Sequence, residues 1–195
     1  MAPWVVAITG ATGVIYGIKV LKALYSAGEK ICLVISNPGK RVLKEELGLS
    51  LSGDEQEISM QIKNYLELPP DAALSYFEWT DIGCCLASGS FATKGMIVVP
   101  CTMATLAGIA GGMSRNLIER AADVTLKERR PLVLVPRETP LNAIHLKNML
   151  ELAHLGVHIV PPVPAFYFGP KDIDDLLDFF VTRLLSLIGI NVSKN

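Results

Sequence analysis

Four short apolar runs, Trp4–Ile8, Ile31–Ile35, Met96–Val99 and Leu132–Val135, constrain this chain more than any other feature. Each is partly β-branched and gives way to a polar or Gly/Pro turn and then to a helical pattern. Val157–Val160 makes a fifth. Apolar runs without alternation suit strands covered on both faces, so the repetition predicts an α/β sandwich of three layers around a doubly wound parallel sheet. In such a sheet a ligand lies at the carboxyl ends of the strands. The helices follow from spacing: Val14, Ile18, Leu21 and Tyr25 share a face closed by Gly28, and Pro38 opens a second helix. Glu55–Tyr65, Ser114–Glu128, Leu141–Leu155 and Ile173–Ile188 complete the set, while Gly48–Trp79 is otherwise the least legible stretch. With no repeat or linker, residues 1–195 read as one domain.

The chain is 50% hydrophobic and only 19% charged, below the ~25% usual for soluble domains. No apolar run approaches the ~18 residues of a membrane helix, so the surplus is expected in contacts between copies of the chain. The net charge of −1, with acids and bases interspersed, leaves no footprint for nucleic acid. Met1-Ala2-Pro3-Trp4 lacks the basic region of a signal peptide, which places the protein in the cytoplasm with reduced thiols. Cys32, Cys84, Cys85 and Cys101 show no C-x-x-C spacing and read as structural; no metal is expected.

The loop Thr9-Gly10-Ala11-Thr12-Gly13 joins the first strand to the first helix, where free amides and the helix dipole favour a phosphate. Its spacing is not G-x-G-x-x-G, and the second strand ends at Ser36 rather than at an acidic ribose ligand, so a mononucleotide such as FMN fits better than NAD. A tight turn without a ligand is the alternative. Pro100-Cys101-Thr102-Met103-Ala104-Thr105 repeats the arrangement, with plain helix capping by Thr102 as the competing reading. In the charge-dense passage from Asn116 to Arg130, Arg120 and Lys127 share a helix face, and Arg137 sits at a strand mouth. Together they could receive a phosphate, or form a solvated, salt-bridged surface. Pro161–Tyr167 is a stiff segment that holds aromatic rings after the last strand, and Arg183 follows on the final helix.

Together these pieces resemble the UbiX-type flavin prenyltransferases, once described as aromatic-acid decarboxylase subunits. The blocks that carry the likeness are Thr9–Gly17, Ser88-Gly89-Ser90, Pro100–Thr102, Leu117–Pro140 and Pro164–Tyr167, and it extends from about Val5 to Gly189. The resemblance implies a Rossmann-like flavoprotein fold and FMN contacts at Gly10, Ala11, Thr12, Ser36, Thr102, Met103, Ala104, Thr105 and Arg137. It implies that Tyr167 and Arg183 hold an allyl phosphate, supported by Ser88, Gly89, Arg120 and Lys127, with Glu46 beside the flavin and Glu138 near the phosphate. The reaction implied joins a dimethylallyl group from dimethylallyl monophosphate to N5 and C6 of reduced FMN without a metal. Its product is the cofactor of a partner UbiD-type decarboxylase. The family's sites lie at subunit junctions of a homo-dodecamer. Thr12 stands where Ser is more usual, and Phe168 where many members carry His. An FMN-dependent cysteine decarboxylase would need a P-x-S-A-N-x motif that is absent, and a non-catalytic flavin carrier would need none of the allyl-phosphate groups.

Overall fold

In the computed structural model, which describes residues 1–191, the chain runs β1 (Trp4–Ile8), α1 (Val14–Ser26), β2 (Ile31–Ile35), α2 (Asn37–Leu47), α3 (Glu55–Tyr65), β3 (Leu74–Glu78), a 3₁₀ turn (Cys85–Ala87), β4 (Gly95–Cys101), α4 (Met103–Ala110), α5 (Leu117–Lys127), β5 (Leu132–Pro136), α6 (Ala143–His154), β6 (His158–Ile159) and α7 (Ile173–Ser186). The strands form one sheet in the order β3-β2-β1-β4-β5-β6, and every pairing is parallel. This is the doubly wound arrangement expected.

β1, β2, β4 and β5 are buried at every position. Alternate side chains feed two cores. Val6, Ile8, Leu33 and Ile35 pack with α1, α2, α3 and α7 on one face, and Val5, Ala7, Val34 and Val98 with α4, α5, α6 and the 3₁₀ turn on the other. Each fully buried Leu or Ile contributes roughly 1.5–3 kcal/mol, so this two-sided burial dominates the fold's stability.

β3 was not legible because it is an edge strand covered on one side: only Leu74 and Tyr76 of its five residues are buried. Its Tyr76 amide is satisfied by the Ser59 hydroxyl of α3 at 2.7 Å, so α3 closes part of the open edge. The other edge, β6, is shorter than Val157–Val160. Two helices, α5 and α6, start later than their apolar pattern, and α7 starts at Ile173 as expected. Asn116, Asn142 and Asp172 cap α5, α6 and α7 by accepting the amides of Glu119, His145 and Asp175. No helix among the described residues is long and apolar enough to cross a membrane.

Candidate active site

β1 and β4 are neighbours whose following helices leave to opposite faces, so their carboxyl ends open a crevice at the point where the strand order reverses. The buried Thr9 hydroxyl closes its floor, donating to the Pro100 carbonyl and accepting from the Thr102 amide, both at 2.8 Å. The Gly10 loop and the start of α4 are thereby fixed to each other. Gly10 is required by packing, because a methyl group there would lie 2.3 Å from Cβ of Pro38. Gly13 is required by conformation, at φ 88°.

Around this crevice stand all nine groups assigned to FMN. Ser36 caps α2 through the Gly39 amide (3.1 Å), Thr102 caps α4 through the Thr105 amide (3.2 Å), and the Arg137 amide donates to the Cys101 carbonyl (3.2 Å). Among the described residues, the amides of Gly10, Ala11, Thr12, Met103 and Ala104 have no protein acceptor. Five such donors beside the exposed Arg137 suit an anionic nucleotide.

The first turn of α1 differs from an open phosphate cradle. The Glu46 carboxylate, carried on the last turn of α2, accepts the Gly13 amide (3.0 and 3.1 Å), the Val14 amide (3.2 Å) and the Thr12 hydroxyl. A protein anion therefore occupies the donors at the helix start, where the macrodipole favours negative charge. A nucleotide phosphate is left with the amides before Gly13 and those opening α4.

The remaining groups fall into two sets that one chain does not unite. Arg120, Lys127, Ser88 and Gly89 gather around α5. Arg120 donates from Nε to the Ala87 carbonyl (3.1 Å) and from Nη1 to Asp123 (2.7 Å), and Lys127 pairs with Glu128 (3.1 Å). Ser88 and Ser90 share a hydroxyl hydrogen bond of 2.8 Å. A methyl group at Gly89 would lie 2.9 Å from Lys127 Nζ, so the loop backbone sits against the ammonium. α5 starts beside the carboxyl end of β3, its Leu117 amide donating to Trp79 (2.8 Å), and descends to the start of β5. Lys127 therefore lies toward the amino ends of the strands, opposite the crevice.

Tyr167 and Arg183 belong to the other face, with α7. The Tyr167 side chain is 84% exposed and meets Phe179 edge-on at 5.6 Å, while Phe168 stacks on Phe179 at 4.4 Å. Arg183 is exposed and donates to Ser186 (3.3 Å). Lys19 of α1 pairs with Asp178 (2.6 Å) and Asp174 (3.0 Å) to anchor the helix. Glu138 spends one oxygen on the Thr139 amide (3.0 Å). Sequence reasoning missed Phe179, whose signal was its position one helical turn before Arg183, and Arg130, whose signal was the charge density around it. Burial pushes the Cys32 thiol up to about 12 and raises that of Cys101, so neither is a ready nucleophile.

A parallel sheet with free helix-start amides at its switch point defines a nucleotide-binding α/β protein. The family model described as Flavoprotein matches residues 1–185. The flavin prenyltransferase UbiX of Halalkalibacterium halodurans is 46% identical over 187 residues, covering 96% of this chain and 88% of that protein. Among solved structures, a dodecameric FMN-dependent UbiX-like decarboxylase from Escherichia coli superposes with a TM-score of 0.86 at 40% identity, covering 99% of this chain and 98% of that one. AnUbiX, solved in complex with FMN and dimethylallyl pyrophosphate, also gives 0.86, at 43% identity over 98% of this chain and 94% of that one. The chain belongs to the flavoprotein family and, within it, to the UbiX flavin prenyltransferases.

Proposed function

We propose that this protein transfers a dimethylallyl group from dimethylallyl monophosphate to N5 and C6 of reduced FMN, and that it does so without a metal. The observation that carries this reading is the second cluster, Arg120, Lys127, Ser88 and Gly89, because holding FMN at the crevice requires none of it. Bound reduced FMN supplies the acceptor atoms; the rest is the work of side chains. Lys127 and Arg120, whose Nη2 has no partner among the described residues, act with Tyr167 and Arg183 to stabilise charge developing on the departing phosphate. Glu46, linked to the Thr12 hydroxyl, holds or removes a proton at the crevice in this reading. We assign that role to it rather than to Glu138, because Glu46 reaches the crevice loop itself through the Thr12 hydroxyl and the Gly13 amide, whereas Glu138 bonds the neighbouring Thr139 amide.

The separation of the two clusters supports a homo-oligomer in which Lys127 and Arg120 of one copy face the crevice of another. The apolar surplus supports it too: α6 buries only Leu152 and leaves Ile144 68% exposed, with Leu146 and Leu150 also in the open. We read the assembly as a dodecamer of single-domain subunits, working in the cytoplasm and passing its product to a UbiD-type decarboxylase.

Incubating the purified protein with reduced FMN and dimethylallyl phosphate, then weighing the released flavin by mass spectrometry, tests the proposal. Flavin heavier by one five-carbon unit is expected. Unmodified FMN from active-site-replete protein would reduce the chain to a flavin carrier.

A further inference from the structure

We propose that Arg130 is a positioning residue for the allyl phosphate, acting through the loop that carries Ser88 and Gly89. The inference rests on the reading of that loop and Lys127 as substrate groups. α5 closes through a left-handed turn at Arg129 (φ 55°), the amides of Arg129 and Arg130 donating to Leu126 and Thr125 at 2.9 Å. Arg130 then reaches back across the 88–93 segment. Its Nη1 donates to the Phe91 carbonyl (3.0 Å) and the Thr93 hydroxyl (3.1 Å), and its Nη2 to the Gly89 carbonyl (2.9 Å).

No helix or strand runs between Ala87 and Gly95, so this stretch has no ladder of its own to hold it. A planar fork that donates to three acceptors in fixed directions holds it more firmly than the compact, freely rotating ammonium of a lysine would. What it fixes is the distance between the Gly89 backbone and Lys127, already so close that a methyl group at Gly89 would meet both Lys127 Nζ (2.9 Å) and Glu128 Oε1 (2.2 Å). Arg130 thus sets the space around the ammonium that receives phosphate. With both terminal nitrogens spent on the loop, it acts through Ser88, Gly89 and Lys127 and not as a phosphate ligand.

The test uses the assembled full-length protein. Arg130→Met should raise KM for dimethylallyl phosphate roughly tenfold, since hydrogen bonds from a charged donor are lost. FMN affinity and kcat should stay near wild type, and amide hydrogen exchange across Ser88–Thr93 should quicken. Arg130→Lys should fall between wild type and Met. A wild-type KM in Arg130→Met overturns the proposal, and Lys127→Met run alongside says why. If that control raises KM, the positioning role alone is wrong; if it does not, the substrate reading of the cluster fails and takes the inference with it. Should Arg130→Met not fold, Thr93→Val removes one of the three acceptors and must raise KM in the same direction; an unchanged KM overturns the proposal equally.

Discussion

Replacing Glu46 by Gln is expected to lower turnover by on the order of a hundredfold or more, the scale of a positioned acid or base, while FMN and allyl phosphate still bind. The carboxylate accepts two amides and a hydroxyl at the start of α1. A glutamine keeps one oxygen for these donors but turns an NH₂ group toward another, so a modest stability loss should accompany the change. The two effects separate cleanly: prenyl-flavin yield at saturating ligand reads the chemistry, and fluorescence titration reads FMN binding. Wild-type turnover would remove Glu46 from the mechanism. Loss of FMN binding would make it a structural cap.

The second large effect is expected at Lys127. Lys127→Met should cost on the order of a hundredfold in kcat/KM for dimethylallyl phosphate, the scale of losing one group that stabilises transition-state charge. FMN affinity should hold, because Lys127 is assigned to the allyl phosphate and none of the nine FMN groups comes from α5. Its pairing with Glu128 in the isolated chain is a partly exposed contact worth little, so the ammonium is available to a ligand at small cost. Steady-state kinetics in the two substrates separately checks both halves. A fall in FMN affinity equal to the fall in kcat/KM would contradict the placement.

The sequence made the sheet legible wherever strands are buried on both faces, since Trp4–Ile8 and Leu132–Val135 carry an unbroken apolar signal. It failed at β3, where Ser75 and Glu78 interrupt the run on a half-covered edge. The crevice loops were legible for a similar reason: Gly10 and Thr102 follow strands directly, and a parallel sheet sends all such ends to one side. What Glu46 does there was not legible. It stands 33 residues from Gly13, and only the seating of α2, with Gly39 pressed against the Ile8 carbonyl, brings it to the start of α1. Nor did spacing reveal that Lys127 and Glu46 lie toward opposite ends of the strands, because a helix face fixes neighbours along one element and says nothing of its direction relative to another.

That separation yields the most direct test of the account, which is that allyl transfer occurs at a site built from two copies of the chain. Glu46→Gln and Lys127→Met, each nearly inactive alone, are co-expressed with different tags, purified as mixed assemblies and assayed for prenylated FMN by mass spectrometry. If Glu46 and Lys127 of one site come from different copies, random mixing in equal amounts leaves roughly a quarter of the sites with both groups intact, and activity should recover to about that share of wild type. Activity that stays at the level of the separate variants would contradict the account and return both residues to a single chain.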